Sequence, residues 1–312
     1  MITEGYLARH YMGRAGMMGP ALLDVAQDYA LQYLFAHDVF ELGVVLKGGT
    51  SLRKFRAGNA GRFSTDLDFA APDVDTGELV LDTLDGAEIE GVTFHVTDRT
   101  SGRGRLDIET PLGRPGIPAR IEVTPRPLWL PCDALVPIPL PVHKGYEFPL
   151  PTLPAPALEE ALAEKLAAWR RRRKIRDLYD LYWFGQGALN EALVRRVLVL
   201  KVWHDVVDDG LGSGPFDAAT IRDDFDVNRL PAEDIGLLTQ PVEPRRWLDF
   251  VRSRYSFVGE LDPTDTDIAR CSPGDRWKVQ PLTIALAAPT CGPVPAIRSG
   301  ACDTSVTHEV RN

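Results

Sequence analysis

The stretch Leu46-Lys47-Gly48-Gly49-Thr50-Ser51-Leu52, followed by Arg62-Phe63-Ser64-Thr65-Asp66-Leu67-Asp68-Phe69, constrains this chain more than any other. Two adjacent glycines let the backbone pass close to another group with no side chain between, and Thr50 and Ser51 add hydroxyls and, where a helix begins, unpaired N–H groups. Such a turn suits a phosphate. In a strand, residues two apart face the same way, so Asp66 and Asp68 share one face while Leu67 and Phe69 pack behind them. Paired carboxylates repel unless a cation lies between them, and hard oxygen donors suit Mg²⁺. Taken singly, the halves also fit a helix start capped by Thr50 and a solvated acidic turn; their order within one segment favours a nucleotide site.

The remaining pattern predicts how this segment is held. Apolar spacing predicts an amphipathic helix over residues 21–35, a short buried strand over 42–46, a helix opening over 50–55 and another over 77–84. Alternation over residues 92–97, 105–109 and 119–123 predicts successive strands. The mixture implies an α+β fold, a small mixed sheet covered by helices on one face. Prolines between Pro137 and Pro156 block regular helix and mark a boundary, either a linker or an extended edge. Residues 157–173, 177–184, 190–207 and 244–255 favour helix. The expected division is residues 1–148 as the sheet domain, 149–260 as a helical domain, and 261–312 as a segment with little stable structure.

The order Gly48-Gly49-Thr50-Ser51, a short basic stretch, then Ser64-x-Asp66-x-Asp68 resembles the nucleotidyltransferase fold of the DNA polymerase β type. More narrowly it resembles the AbiEii/AbiGii toxin family, which includes the mycobacterial MenT-type toxins. Glu164-Lys165-Leu166-Ala167-Ala168 and Arg173-Lys174-Ile175-Arg176-Asp177-Leu178-Tyr179-Asp180-Leu181-Tyr182 are similar to that family's Lys-bearing helix and its Arg-Asp-x-x-Asp-Leu motif. The resemblance implies a polymerase-β-like core followed by a helical C-terminal domain. It also implies a Mg²⁺-dependent enzyme moving a nucleoside monophosphate from an NTP to an acceptor hydroxyl and releasing pyrophosphate. The implied setting is a bacterial toxin–antitoxin pair, with a cognate antitoxin protein as partner and an RNA acceptor, the tRNA 3′ end. Transfer to a small molecule or a protein is the alternative within the fold, and a non-catalytic nucleotide-binding module the alternative outside it.

The expected nucleotide-binding set is Gly48, Gly49, Thr50, Ser51, Arg62 and Ser64, with Arg62 placed for bidentate phosphate contact. Asp66 and Asp68 are expected to hold metal and to act in catalysis. Glu122 is the candidate third metal carboxylate, with Asp107 and Glu109 as alternatives on a neighbouring strand pattern. Lys47 can reach phosphate, although exposed lysines after a strand are common. Lys165 sits on a helix near Leu162, Leu166 and Trp169, with its stem buried and its ammonium toward the site, where the resemblance implies that it neutralises phosphate. Asp177 ranks above Asp180 as an orienting group or as base for the acceptor hydroxyl. A phosphate group on Ser64 would exclude nucleotide by charge.

With 312 residues, 44% of them hydrophobic, the chain can build a sizeable core. It contains no apolar run of about 18 residues, and its N-terminus lacks a basic stretch leading into an apolar one, so the expected location is cytoplasmic, with no membrane partner. Cys132, Cys271, Cys291 and Cys302 have no Cys-x-x-Cys spacing and read as free thiols. A net charge of -9 opposes a nucleic-acid partner in total, but distribution matters more. Basic residues gather between positions 99 and 126 and in Arg170-Arg171-Arg172-Arg173-Lys174, a run that fits either a solvated helix face or contact with RNA or triphosphate.

Overall fold

A computed structural model describes residues 2–230, 237, 238 and 240–287. Helices α1 (Glu4–His10) and α2 (Met18–Ala36) lead to strand β1 (Val45–Lys47), which passes directly into the short helix α3 (Gly48–Leu52). Strand β2 (Asp66–Ala70), helix α4 (Val74–Leu84) and strands β3 (Glu88–Ile89), β4 (Val92–Thr100), β5 (Arg103–Glu109) and β6 (Arg120–Thr124) follow. The six strands form one sheet in the order β1-β2-β6-β5-β4-β3. Only β2 and β6 run parallel; the other neighbours are antiparallel. This is the mixed α+β sheet that the sequence predicts. Alternation does what it should in β4, where Val92, Phe94 and Val96 are buried and His95 and Thr97 face out. Asp73 starts α4 by accepting the Thr76 N–H at 2.7 Å.

Helix α2 departs from the amphipathic expectation. Its would-be polar face, Asp24, Gln27 and Asp28, is buried. The Asp24 carboxylate meets His10 at 2.7 Å, Arg53 at 3.0 Å and Lys54 at 2.9 Å. Asp28 meets Lys54 at 2.9 Å and accepts the Tyr146 hydroxyl at 2.6 Å. The cations come from a π-helical turn, Arg53–Ala57, directly after α3. Arg53 also donates to the carbonyls of Gly58 and Gly61 and lies 4.2 Å from the Phe63 ring centroid. The loop between the glycine turn and β2 is thereby fixed from below.

The proline-rich stretch is flanked by a pair of short strands. Strands β7 (Asp133–Leu135) and β8 (Leu153–Ala155) pair antiparallel, and β8 lies against β1. Next come helices α5 (Leu158–Arg172), α6 (Ile175–Phe184), α7 (Glu191–Val207), α8 (Ala219–Arg222), α9 (Pro244–Arg254), α10 (Pro263–Ile268) and α11 (Arg276–Ala287). Apolar side chains form two cores, one between the sheet and helices α2 and α4, the other around Trp169, Trp203 and Trp247 among the later helices. The second core also takes Leu52, Ala57, Trp129 and Leu130 from the first half of the chain. The expectation of little structure from residue 261 onward is corrected as far as residue 287. Ile268 of α10 and Val279 of α11 are buried in the helical core, and Asp262 caps α10 through the Asp265 N–H. Residues 288–312, with Cys291 and Cys302, lie outside the described residues; Cys132 is exposed and Cys271 buried, both free. Among the described residues no helix is long and apolar enough to cross a membrane.

The Asp24 cluster sets a first expectation. Burial alone would raise this carboxyl, but Arg53, Lys54 and His10 hold it well below the usual carboxylate range. Asp24→Asn keeps volume, takes from Arg53 its buried carboxylate and leaves Lys54 with Asp28 alone, so unfolding free energy should fall by about 3–5 kcal/mol. Urea unfolding of parent and variant measures it, and a loss below about 1 kcal/mol would show the cluster to behave like a surface ion pair.

Candidate active site

Strand pairing places the carboxylates. Lys47 lies opposite Asp68 across β1 and β2, Asp68 opposite Glu122 across β2 and β6, and Glu122 opposite Arg103 across β6 and β5. Directly opposed residues project on one face. Lys47, Asp68, Glu122 and Arg103 therefore form a row across the sheet, and all of them line a cleft of about 700 Å³ between the sheet and helices α5 and α7. Asp66, two residues from Asp68, shares its face and receives the Thr65 hydroxyl at 3.2 Å. Burial and the Asp66 charge push the Asp68 carboxyl up to about 6, against the opposing pull of Lys47 and Lys165.

Gly48 has φ +75°, and a Cβ there would collide with the Asp68 carboxylate. At Gly49 a Cβ would collide with the Arg62 guanidinium and the Ser64 hydroxyl. The two glycines thus have separate tasks: Gly48 allows the cleft wall to touch Asp68, and Gly49 admits the packing beneath. Ser51 lines the cleft. Thr50 is fully buried, and its hydroxyl donates to the Asp66 carbonyl at 2.5 Å, fixing α3 on β2.

Arg62 differs from the expected phosphate ligand. It is buried, and both arms of its fork close on Asp180 at 3.1 Å while Nη1 donates to the Phe63 carbonyl. A guanidinium so engaged has no face left for a nucleotide. Ser64 is buried as well, which removes the hydroxyl from the surface that a modifying enzyme would need.

Asp180 extends the chain of charges. The Lys165 ammonium lies 2.8 Å from Asp180 and 3.6 Å from Asp177, with its side chain 12% exposed. Arg172 grips Asp177 through two hydrogen bonds of 2.6 and 2.7 Å. Burial raises the Asp177 carboxyl, but Arg172 and Lys165 outweigh it and hold the group at about 2. Asp177 is fully buried and weakly basic, so it positions Arg172 and Lys165 and does not fit the role of base for an acceptor hydroxyl. Asp180 is the residue joining Arg62 to Lys165.

Glu122 is the one of the three candidate third carboxylates that lines the cleft, yet it accepts from Arg103 at 2.8 Å. Asp107 binds Thr97 and Arg105, and Glu109 binds Arg114. Among the described residues no three His, Cys, Asp or Glu side chains converge to hold a metal ion. The oxygen donors of Asp66 and Asp68 suit Mg²⁺, and a cation there would relieve the charge tension that raises Asp68.

Sequence reasoning missed several residues of the cleft. Lys201 is held by Glu160 at 2.7 Å and Glu164 at 3.1 Å and lies 4.2 Å from the Trp129 ring centroid. Glu164, raised by burial, is brought down to about 2 by the charges of Lys47 and Lys201. No local pattern marks Lys201, whose partners sit on another helix. The run after Trp169 divides: Arg170 donates to the Ser213 carbonyl, Arg171 pairs with Asp205, Arg172 with Asp177, and Arg173 stacks over Trp169. Only Arg171 and Arg172 of that run line the cleft.

Two expectations follow from this geometry. Because Asp177 is held near 2, it stabilises the folded chain above its ordinary value of 3.8, and that contribution fades as pH falls toward 2. Asp177→Asn should remove about 2 kcal/mol at neutral pH, a gap that closes in acid. Urea midpoints of both proteins at neutral pH and at a pH of about 3 read it, and an unchanging gap overturns the assignment. Gly48→Ala should displace Asp68 and add about 1–2 kcal/mol of backbone strain. Its signature is loss of activity in protein that still melts cooperatively; normal activity would mean that the Gly48–Asp68 contact is incidental.

The chain is similar to known toxins over most of its length. The family model for the AbiEii nucleotidyl transferase toxin of type IV toxin–antitoxin systems matches residues 29–270. Among solved structures, MenT4, a nucleotidyltransferase toxin of Mycobacterium tuberculosis, is 44% identical with a TM-score of 0.88, covering 92% of this chain and 100% of that one. Two Helicobacter pylori structures, JHP933 among them, reach only 18% and 19% identity and TM-scores of 0.43 and 0.42, covering 75% of this chain and 94% and 92% of theirs. No curated protein matches the chain. The matched span includes the glycine turn, the Asp66–Asp68 strand, Lys165 and the Asp177–Asp180 helix, and the chain belongs to the AbiEii family of nucleotidyltransferase toxins of type IV toxin–antitoxin systems.

Proposed function

We propose that this toxin transfers a nucleoside monophosphate from an NTP to the 3′-terminal hydroxyl of tRNA and releases pyrophosphate, with Mg²⁺ held by Asp66 and Asp68. The observation that carries the reading is the pair of carboxylates on one strand face, with Asp68 lining the cleft and Gly48 pressed against it. When bound, the metal supplies charge neutralisation for the triphosphate and activation of the attacking oxygen. The chain's own residues do the rest. Asp66 and Asp68 give the cation site its charge, the open backbone at Gly48 leaves room for phosphate beside them, and α3 presents Ser51 to the cleft. Asp180 and Asp177 hold Lys165 and Arg172 toward the same space. The acceptor oxygen bonds to the α-phosphorus, the bridging P–O bond breaks with its electron pair leaving on pyrophosphate, and the hydroxyl proton passes to water.

An RNA acceptor is favoured over a small molecule by the cleft wall, which Arg103, Arg126, Arg171 and Arg172 line. The cognate antitoxin of such a system is the expected protein partner.

The test is to incubate purified protein with each radiolabelled NTP, Mg²⁺ and total RNA and to see which species gains label. Label should appear in the tRNA size class with one preferred NTP. Asp66→Asn and Asp68→Asn, folded by circular dichroism, should lower transfer at least about a hundredfold. Label confined to protein or small molecules overturns the tRNA assignment, and full activity of Asp66→Asn overturns the metal assignment.

A further inference from the structure

The cations of the cleft are almost all spoken for. Arg103 closes on Glu122 at 2.8 Å, Lys165 on Asp180 at 2.8 Å and Arg172 on Asp177 at 2.6 Å. Arg171 pairs with Asp205, and Lys201 is shared by Glu160 and Glu164. Farther out, Arg56 and Arg126 are held by Asp133 and Asp209. Lys47 differs: it lines the same cleft, half-buried, and among the described residues no carboxylate approaches its ammonium within 4.0 Å. Its charge is nonetheless felt on two sides, by Asp68 across the strand pair and by Glu164 on α5.

From this we infer that Lys47 is the residue that binds the β- and γ-phosphates of the NTP. The inference rests on the nucleotidyltransfer reading above and names a contact within it. Lys47 is the last residue of β1 and immediately precedes Gly48, so its side chain enters the cleft at the mouth of the glycine turn. In the row across the sheet it is the outermost charge on the Asp68 side, mirroring Arg103 on the Glu122 side. Arg103 satisfies its neighbour. Lys47 stands off, between Asp68 and Glu164, where a polyanion placed against the glycines would complete its charge. An ammonium already in a tight ion pair must break that pair before it can take a phosphate, and one without a partner need not. Lys165, the lysine that the family resemblance singles out, has two buried carboxylates to neutralise, and Lys47 has none at contact distance.

The chemistry asked of Lys47 is electrostatic. As the acceptor oxygen bonds to the α-phosphorus and the α–β bridging bond breaks, its electron pair goes to the leaving pyrophosphate, and an ammonium at the β- and γ-phosphates meets that growing charge. No proton needs to move to or from Lys47.

The experiment measures binding of the preferred NTP, its NDP and its NMP by titration calorimetry, in Mg²⁺ without acceptor RNA, to the parent, Lys47→Met and Lys47→Arg. Met keeps the length of the stem and removes the charge, so fold and melting temperature should hold. Lys47→Met should weaken NTP binding roughly 10- to 100-fold, weaken NDP less and leave NMP within about twofold, and Lys47→Arg should restore most of the loss. Equal weakening of all three nucleotides, or unchanged NTP affinity in a folded Lys47→Met, overturns the inference. So does an unchanged NTP affinity with a weaker tRNA affinity, which would put Lys47 on the acceptor. A parent that binds no NTP and transfers no label defeats the nucleotidyltransfer reading itself, and this assignment with it; a parent that binds and transfers, beside an indifferent Lys47→Met, defeats only the assignment.

Discussion

The bond between Arg62 and Asp180 holds the site together. Arg62 precedes β2 and Asp180 lies on a helix of the second core, 118 residues later, and the fork of the guanidinium closes on both carboxylate oxygens. On one side the same guanidinium packs beneath Gly49; on the other, Asp180 fixes the Lys165 ammonium. Asp177, one turn earlier on α6, then fixes Arg172. Buried ion pairs give little net stability compared with apolar packing, but removing one partner is severe because the other is left charged and dry. Such a link sets geometry more than it adds stability. It orients the helical half over the sheet so that Lys165 and Arg172 face Asp68.

Around that link the site keeps features that would be liabilities elsewhere. Asp66 and Asp68 sit together on one strand, and the raised Asp68 carboxyl records the repulsion and the burial. Gly48 adopts a backbone conformation that other residues resist, and does so against the carboxylate itself. Elsewhere helices begin on side-chain caps, as at Asp73, Asn190 and Asp262. Close like charges and a glycine-only approach meeting at one spot are what a functional site looks like.

Much of this was legible in the sequence where the signal was local. Strands β4, β5 and β6 follow from alternation, the glycine turn and the Asp66–Asp68 pair from their spacing, and Lys165 and Asp177 from a motif on adjacent helices. What was not legible depends on partners far along the chain. Arg62 reads as a phosphate ligand until Asp180 is known to be beside it. The polar face of α2 reads as solvated until Arg53, Lys54 and Tyr146 close over Asp24 and Asp28. Residues 263–287 look weak because proline and glycine punctuate them, and they are helical because the second core accepts Ile268 and Val279. Lys201 carries no local mark at all.

The acidic balance of the chain takes on a different meaning once the cleft is in view. A net charge of -9 is a total over the whole chain and does not fix the charge along the cleft wall. Here Glu122, Glu164, Asp177, Asp180, Asp205 and Asp209 each hold a cation that lines the cleft. Each arginine is thereby ordered before any phosphate arrives, which lowers the entropy lost on binding, but each must also exchange a carboxylate for a phosphate, which lowers the gain. The two effects oppose, and their sum differs with exposure. Arg126 and Asp209 are both about a third or more exposed, at 41% and 32%, so water screens their attraction and exchange is easy. Asp177 is fully buried beneath Arg172, and exchange there would strand a charge in a dry site. The outer arginines are therefore suited to a passing polyanion and the inner ones to holding the site's shape.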